Sequence, residues 1–516
     1  MIASQEPPPV VGVHLDLKYH MPNRAYLSDW VRELPALGIN TLLLEYEDKF
    51  PFAARPFLRD GEAFTPAELR AFLAAARQAG LRVVPLVQSL SHLEFALAHE
   101  PLAGFREAPD IPTQICPSSD EAVAFVLALI GEVLAYHEAD ELVHCGGDEA
   151  WFLGACPRCA EWKARAGAIG MWAGHQAKIA RFVLAAGKRP IFWDDALWRQ
   201  PEAVATCGLP EGVILMSWDY GATDPVADGK KLRRTRAYRR AGREVLACPC
   251  LNAGQLLPPV SRSIANTRLW AHKVRDESML GLINSSWACF HVPLAPQQML
   301  VAATGRLARD PDADVGPTWQ ARWLGERFGC DPAGVPRALE ALGAPFEVHI
   351  PGLPRPFSPL PYGYMNLMLH YRGAHEERRR RGAYPLDWEE IDFADIYNRG
   401  VEQVRSAGPA DNTSARLDGV LAAYPPARDA VVGLAGRATR RREEARLAAE
   451  LAELKLLSAR VFAHGLRGEG DAAALRGALR ARRAPLADAL RTAYEPGGVA
   501  RLMRAWWEPL HRAVGG

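Results

Sequence analysis

The sequence contains no run of about 18 or more apolar residues, the length that a helix needs to cross a bilayer. The stretch from Met1 to Pro9 is rich in proline and lacks a basic segment followed by an apolar one, so we expect no signal peptide. These absences predict a soluble, cytoplasmic protein that has no membrane partner.

An excess of charge of one sign is also lacking, because 61 lysines and arginines face 60 aspartates and glutamates. A net charge of +1 argues against a nucleic-acid partner held by bulk electrostatics. A neutral substrate such as a glycan suits this surface better than a polyanion does. The oligomeric state stays open, with a homodimer among the alternatives.

Cysteines are few and odd in number, nine in 516 residues, which indicates reduced thiols rather than a disulfide framework. The segment Cys156-Pro157-Arg158-Cys159 has a C-x-x-C spacing that can hold one side of a zinc site, but two further ligands are needed. His144 or Cys145 would have to turn away from their strand, and Cys248 and Cys250 are remote. We therefore predict partly buried thiols, no metal and no cofactor.

Short apolar runs alternate with helical patterns up to about residue 290. The eight runs are Val10–Leu17, Asn40–Glu45, Arg82–Val87, Glu141–Cys145, Pro190–Asp194, Val213–Trp218, Glu244–Cys248 and Leu280–Ser285. Eight strand-helix units in about 300 residues predict an α/β fold of the (β/α)8 TIM-barrel type. A doubly wound open sheet is the alternative, but no G-x-G-x-x-G motif opens the first helix.

Helical patterns occupy the intervals between the runs and the end of the chain. Between the runs they are Ala25–Leu37, Pro66–Ala79, Asp120–Tyr136 and Met171–Ala186, the second of which has Thr65 as its predicted N-cap.

Six prolines between Pro345 and Pro361 predict a stiff linker, and the stretch from Arg440 to Phe462 predicts a further helix. We therefore divide the chain into a catalytic barrel, residues 1–345, and an α-helical C-terminal domain, residues 346–516. The run Arg378–Arg381 is interpreted as solvated surface rather than as an anion site.

The most informative motif is His144-Cys145-Gly146-Gly147-Asp148-Glu149, which ends the fourth apolar run. Its glycines allow the backbone to bend or to approach a ligand closely. Two carboxylates that share one pocket cannot both ionise freely, so one of them can act as a proton donor. The structural alternative is a helix N-cap followed by its first-turn acid.

Further acidic, aromatic and histidine residues follow the other strands, where a barrel gathers them on one rim. They are Asp16 and Lys18 after the first strand, Glu45 and Asp48 after the second, His92 after the third, Trp193, Asp194 and Asp195 after the fifth, Trp218, Asp219 and Tyr220 after the sixth, and Trp287 after the eighth. Indole faces and carboxylates side by side suit a sugar. The adjacency of Asp148 and Glu149 does not offer an acid and a nucleophile on opposite faces of that sugar, which favours a nucleophile supplied by the substrate.

Several motifs, in order along residues 10 to 290, carry a family resemblance. They are His14–Lys18, Leu44–Pro51, Pro85–Gln88 with Ser91–Phe95, His144–Glu149 and Phe192–Asp195. The set resembles family-20 glycoside hydrolases, the β-N-acetylhexosaminidases, and within them the hexosaminidase D branch. Separate motifs in the right order are much more specific than one hexapeptide.

The resemblance implies a retaining exo-β-N-acetylhexosaminidase that removes terminal β-linked GalNAc or GlcNAc through an oxazolinium intermediate, with a lean toward GalNAc. Glu149 would be the general acid, and Asp148 would orient the substrate's 2-acetamido group. The other implied roles are support of the acidic pair by His92 and His144, walls of the acetamido pocket by Trp193, Trp218 and Trp287, hydroxyl recognition by Asp16, Lys18, Glu45 and Asp48, and further substrate contacts by Asp194, Asp219 and Tyr220.

The chain departs from the family pattern in two places. Lys18 stands near the position where many members carry an arginine, and lysine lacks the bidentate fork of that side chain. No tyrosine follows the seventh strand, where the sequence is Cys248-Pro249-Cys250-Leu251-Asn252, and Tyr220 is the candidate replacement.

Three alternatives stay open at this point. Asp219 could cap the loop after its strand. The barrel could be a catalytically silent glycan-binding protein, or a substrate-assisted hydrolase of another family with Asp194 and Asp195 as its working pair.

Overall fold

The computed structural model describes residues 9–18, 20–228, 232–252, 256–287, 293–348, 357, 359, 392–407 and 413–515. Most of the predicted proline-rich linker and the whole of the Arg378–Arg381 run lie outside these residues.

Eight parallel strands close into a barrel, which confirms the predicted (β/α)8 architecture. The barrel strands are β1 (Val10–Asp16), β2 (Thr41–Glu45), β3 (Arg82–Leu86), β6 (Leu142–His144), β7 (Arg189–Trp193), β8 (Ile214–Trp218), β9 (Glu244–Cys248) and β10 (Gly281–Asn284). A small antiparallel hairpin, β4 (Arg106–Ala108) and β5 (Ile111–Ile115), is inserted between β3 and β6. Each barrel strand otherwise pairs with its neighbours in sequence, and β10 closes on β1.

The strand register places the predicted site residues at one level. Asp16 pairs with Glu45, Glu45 with Leu86, and Leu86 with His144. The carboxyl ends of four neighbouring strands are therefore adjacent, and the segments that follow them share one rim.

The helices of the barrel region alternate with these strands. They are α1 (Arg24–Glu33), α2 (Pro66–Gln78), α3 (Glu94–Leu97), α4 (Asp120–Leu134), α5 (Pro157–Ala185), α6 (Arg234–Arg240), α7 (Val260–Asp276) and α8 (Leu294–Arg309). Short 3-10 segments occupy Leu34–Leu37, Glu47–Lys49, Pro56–Leu58, Glu100–Phe105, Asp195–Leu197 and Pro201–Ala205.

The sequence predicted the start of one helix correctly and the start of another wrongly. Thr65 caps α2 as predicted, because its hydroxyl accepts from the Glu68 N–H while the Glu68 carboxylate accepts from the Thr65 N–H. The predicted start of a helix at Met171 was wrong, since α5 begins at Pro157 and bends at Gly167, where φ is +71°. The first half of α5 is mostly exposed and so lacks the apolar stripe that would have revealed it.

The C-terminal region is helical among its described residues, as predicted. Its helices and the two that precede it are α9 (Pro317–Phe328), α10 (Val335–Gly343), α11 (Phe393–Ala407), α12 (Thr413–Arg437), α13 (Arg442–Arg467), α14 (Ala472–Arg491), α15 (Pro496–Trp506) and α16 (Glu508–Ala513). Among the described helices, none is long and apolar enough to span a membrane.

The C-terminal helices have their own hydrophobic core, which also takes in side chains from the first part of the chain. This second core is centred on α13 and includes Leu256, Leu257 and Leu342. An ion pair reinforces the contact between the C-terminal helices and the barrel region, because Arg501 Nη2 lies 2.6 Å from Asp60 Oδ2. The helical region is thus packed on the barrel, and the domain boundary at residue 345 stays a prediction.

Replacing Leu451 with alanine should lower the free energy of unfolding by about 2–5 kcal/mol, because its fully buried side chain would leave a cavity in the second core. Val432→Ala is the matched control: that side chain lies 39% exposed on α12, and its loss should change the free energy by less than about 0.5 kcal/mol. Urea denaturation measures both values. Equal losses in the two variants would contradict this description of the core.

Candidate active site

The chain turns sharply where β6 ends, and the turn requires its two glycines. Gly146 and Gly147 have φ values of +61° and +93°, which L side chains rarely adopt. A Cβ atom on Gly146 would overlap the Gln88 side chain, and one on Gly147 would overlap the Gln176 side chain. The turn is therefore packed tightly between the segment after β3 and helix α5.

Hydrogen bonds from several neighbouring segments fix this turn. The Gly146 N–H donates to His144 Nδ1 at 3.0 Å, and Trp172 Nε1 donates to the Gly147 carbonyl at 2.8 Å. The Ser91 hydroxyl donates to the Asp148 carbonyl, and the Glu149 N–H donates to Asp195 Oδ2 at 2.9 Å. Glu149 itself has a φ of +49°, so its backbone is held in a left-handed conformation.

The turn brings the carboxylates of Asp148 and Glu149 together on one imidazole. His92 Nε2 lies 3.2 Å from Asp148 Oδ2 and 3.5 Å from Glu149 Oε2. The two acidic side chains are 12% and 19% exposed, so a ligand can reach them. The N-cap alternative for this pair is wrong, because α5, the next α-helix, begins only at Pro157 and is capped by Cys156.

The two predicted histidines of the site differ in their protonation state. Although burial opposes protonation, the charge of Asp148 and hydrogen bonds to Asp148 and Glu149 raise the pKa of His92 well above its ordinary value. Burial lowers the pKa of His144 to about 3, so this ring is neutral. It packs against Trp193 with a ring-centroid distance of 4.5 Å. His92 is thus a cation at neutral pH, and His144 is a structural support of the turn.

Lys18 lies beside the end of β1 among three carboxylates, those of Asp16, Glu47 and the half-buried Glu94. Its Nζ lies 2.7 Å from Glu47 Oε1 and 3.8 Å from Glu94 Oε2, and its N–H donates to Asp16 Oδ1 at 2.8 Å. Burial raises the pKa of Glu47 well above its ordinary value, even though Lys18 opposes the shift. Neither Glu47 nor Glu94 was among the predicted site residues.

Glu45 is the last residue of β2 and Asp48 follows that strand, but the two carboxylates have different partners. Glu45 accepts from Gln88 Nε2 at 2.8 Å and lies 3.2 Å from His14 Nε2. Burial acts against ionisation here, but the bonds and charges of His14, Lys18 and Gln88 lower the pKa of Glu45 to about 2. Asp48 instead forms an ion pair with the fully buried Lys49, at 2.6 Å.

A row of aromatic rings forms the other side of the rim. Trp218 and Tyr220 have ring centroids 5.0 Å apart, Tyr220 and Trp287 lie 6.3 Å apart, and Trp287 meets His14 at 4.8 Å. Burial raises the pKa of Tyr220 well above its ordinary value, and the charge of Asp148 contributes to the shift. Tyr220 is therefore a neutral phenol, whereas Trp193 is fully buried.

Three aspartates after β7 and β8 have contrasting partners. Asp194 is buried and accepts from Arg234 Nε at 3.0 Å and from Trp198 Nε1 at 2.8 Å. Asp219 Oδ1 accepts from the N–H groups of Gly221 and Ala222, so it caps its loop. Burial, followed by the charge of Asp148, raises the pKa of Asp195 well above its ordinary value. Of the three, Asp195 is the one that contacts the acidic turn.

Several residues that shape the site were absent from the prediction. Gln88, Ser91 and Glu94 lie inside motifs that the sequence analysis quoted, so a signal for them existed. Trp172 and Arg234 lie on helices α5 and α6, where nothing in the local pattern distinguishes them from ordinary packing residues.

Comparison with known proteins places these residues in a family context. The model for the glycosyl hydrolase family 20 catalytic domain matches residues 46–235. Hexosaminidase D of Bos taurus is 33% identical over 294 residues, which cover 53% of this chain and 83% of that protein. Hexosaminidase D of Homo sapiens is 35% identical over 289 residues; the match covers 53% of this chain and 59% of the human protein, less than two thirds of its length.

One solved structure resembles the fold over most of the chain. It is a chitobiase from Flavobacterium johnsoniae, with a TM-score of 0.50 and 16% sequence identity, covering 92% of this chain and 75% of that one. At this identity the likeness concerns the fold alone.

His92 should titrate well above the ordinary range of histidine in NMR spectra of the folded protein, because two carboxylates share its Nε2. The stabilisation from this ion pair is then fully present below the unfolded-state pKa and is lost as pH rises through the raised folded-state pKa. Asp148→Asn should lower the pKa of His92, whereas Asp429→Asn, at an exposed position of α12, should leave it unchanged. A His92 that titrates identically in all three proteins would contradict the geometry.

Proposed function

Because this chain belongs to glycosyl hydrolase family 20 and is a glycoside hydrolase, we propose that it is a retaining exo-β-N-acetylhexosaminidase acting on terminal β-linked GalNAc or GlcNAc. The predicted family resemblance is confirmed by the match to residues 46–235 and by the bovine relative. The observation that carries the proposed mechanism is the convergence of Asp148 and Glu149 on His92. The preference for GalNAc, a cytoplasmic location and a homodimeric state stay predictions.

The proposed reaction uses the substrate's own acetamido group as the nucleophile. Asp148 and Glu149 are adjacent in the chain and both contact one imidazole nitrogen, which supports a placement of both acids on one side of the sugar rather than on its opposite faces. Asp194 is engaged by Arg234 and Trp198, and Glu45 by His14 and Gln88. These partners disfavour either carboxylate as an alternative nucleophile, and they disfavour Asp194 with Asp195 as the working pair.

In the first step Glu149 donates its proton to the glycosidic oxygen while the acetamido carbonyl oxygen attacks C1. The bond between C1 and the leaving group breaks, and an oxazolinium ion forms with inversion at C1. In the second step the Glu149 carboxylate takes a proton from a water molecule that attacks C1 and opens the oxazolinium ring. The second inversion restores the original configuration, and Glu149 ends protonated again.

Asp148 orients and stabilises the nucleophile in this scheme. Its carboxylate accepts the N–H of the acetamido group, so the carbonyl oxygen points to C1 and the positive charge of the oxazolinium ion has a partner. The cationic His92 lies 3.2 Å from Asp148 Oδ2 and holds that carboxylate in place by its charge and hydrogen bond. The neutral phenol of Tyr220, between the rings of Trp218 and Trp287, is our candidate donor to the acetamido oxygen in place of the missing tyrosine after β9.

The remaining contacts divide between the two sides of the rim. Trp218 and Trp287, both partly buried, present apolar ring surface against which the acetamido group and the sugar can pack. Lys18, Glu47 and Glu94 offer donors and acceptors for sugar hydroxyls. Asp48 and Asp219 form ion-pair and loop-capping contacts and contribute to this proposal only as structural residues.

Replacing Glu149 with glutamine should reduce kcat/KM for an aryl N-acetyl-β-hexosaminide by roughly 10²–10⁴-fold, because the general acid is lost. The loss should shrink for an aryl leaving group that is a weak base and needs little protonation. Glu443→Gln, on the exposed first turn of α13, is the matched control and should keep full activity. Unchanged activity of the Glu149 variant with an intact fold would refute the assignment.

Replacing Asp148 with asparagine should lower kcat for 2-acetamido substrates by roughly 10²–10³-fold through the loss of orientation and charge. The wild-type enzyme should hydrolyse the matching 2-hydroxy glycoside very poorly, since that substrate has no internal nucleophile. Side-by-side kinetics of aryl β-GalNAc, β-GlcNAc and 2-hydroxy glycosides test both points and reveal the epimer preference. Equal hydrolysis of the 2-hydroxy substrate would indicate an ordinary two-carboxylate glycosidase, and tight binding without any turnover would indicate a silent glycan-binding protein.

A further inference from the structure

Three thiols and one carboxylate lie close together near the end of the loop that follows Glu149. Glu107 belongs to β4, Cys116 follows β5, and Cys156 and Cys159 begin α5. Cys116 Sγ lies 3.5 Å from Cys156 Sγ and 3.6 Å from Cys159 Sγ. One ligand atom from each of the four residues lies within 4.8 Å of the other three.

These distances match a four-coordinate metal better than a disulfide. Zn–S bonds of about 2.3 Å in a tetrahedron place the sulfur atoms about 3.8 Å apart. A disulfide requires a sulfur separation of about 2.05 Å. All three cysteines are free thiols in the structure, and Cys116 is equally near both of the others.

Glu107 supplies an independent indication of a ligand. The residue is fully buried, and its Oε1 accepts from the N–H groups of Gly154 and Cys156 at 3.0 and 3.2 Å. Its buried Oε2 has no hydrogen-bond partner among the described residues. An unsatisfied, buried carboxylate oxygen is costly unless a cation or a donor binds it.

The surrounding backbone favours negative charge at this point. Cys156 is the N-cap of α5, and its Sγ accepts from the Cys159 N–H at 3.4 Å. The positive end of the helix dipole stabilises thiolates near the first turn of a helix. Burial acts the other way and raises the pKa of the Cys116 and Cys159 thiols, so both stay protonated until a metal binds.

We propose that Glu107, Cys116, Cys156 and Cys159 bind one Zn²⁺ ion in a closed tetrahedral site. Three thiolates with one carboxylate suit zinc, and four protein ligands leave no open position for catalysis, so the ion is structural. On binding, the thiol protons pass to solvent. Glu107 lies in the inserted hairpin and Cys116 just after it, both far in sequence from the C-x-x-C motif, so the sequence pattern alone predicted no metal.

The zinc ion would fasten the β4–β5 hairpin to the start of α5 at the end of the loop that begins with Glu149. The same loop is tied to the hairpin by the Phe152 N–H, which donates to Gln114 Oε1 at 3.0 Å. The proposal does not rest on the proposed glycosidase activity, and its test uses metal content rather than turnover.

Elemental analysis of the 516-residue chain, purified without chelators from zinc-supplemented cells, should find about one zinc per chain. Cys116→Ser and Cys159→Ser should lose most of that zinc, whereas Cys330→Ser, at a half-buried cysteine outside the cluster, should retain it. Glu107→Gln keeps the acceptor for the two N–H groups and should bind zinc at least about tenfold more weakly.

A second measurement remains informative if the cysteine variants fail to fold. Wild-type protein stripped of zinc should bind Co²⁺ with thiolate-to-metal charge-transfer absorption, and its melting temperature should rise when zinc is restored. A chain with no zinc, with iron instead, or with a disulfide among these cysteines by mass spectrometry would overturn the proposal. Zinc retained in full by both Cys116→Ser and Cys159→Ser would overturn the ligand assignment.

Discussion

The site depends on the left-handed backbone that carries the chain from β6 into its following loop. Gly146, Gly147 and Glu149 all have positive φ, and the last of these costs about 1–2 kcal/mol for a residue with a side chain. Hydrogen bonds from Trp172 and Ser91, and the bond from the Glu149 N–H to Asp195, offset this cost at about 0.5–1.5 kcal/mol each. Without the reversal, successive side chains would point to opposite faces of the strand, and the two acids would not share a pocket.

Burial and charge then give chemically similar residues different roles. His92 faces two carboxylates and is cationic, whereas His144 is enclosed beside Trp193 and is neutral. Asp194 forms an ion pair with Arg234. Asp195 has a raised pKa and accepts a hydrogen bond from the Glu149 N–H of the acidic turn. Asp195 therefore acts as a positioning residue for Glu149, a role that the order of residues in the chain does not distinguish from that of Asp194.

The sequence predicted the barrel because eight apolar runs and their spacing report directly on strands that are buried on both faces. It predicted the acidic turn because the two glycines allow the chain to bend and because the companion motifs, in order along the chain, outweighed the helix N-cap alternative. It did not predict Trp172 or Asp195 as supports of the turn, or Arg234 as the partner of Asp194, since such contacts depend on which helix face meets which loop. For the same reason the sequence did not indicate Glu107 and Cys116 as possible ligands. A hairpin inserted between two barrel strands brings both residues to Cys156 and Cys159.

The proposed mechanism requires that the substrate's carbonyl oxygen, rather than a second carboxylate, attacks C1. The most direct measurement is kcat/KM for a series of aryl N-acetyl-β-hexosaminides whose acetyl group carries zero, one, two or three fluorine atoms. Fluorine withdraws electrons from the carbonyl oxygen, so the account predicts a steep and regular fall in rate along the series. A rate that does not depend on fluorination would contradict it.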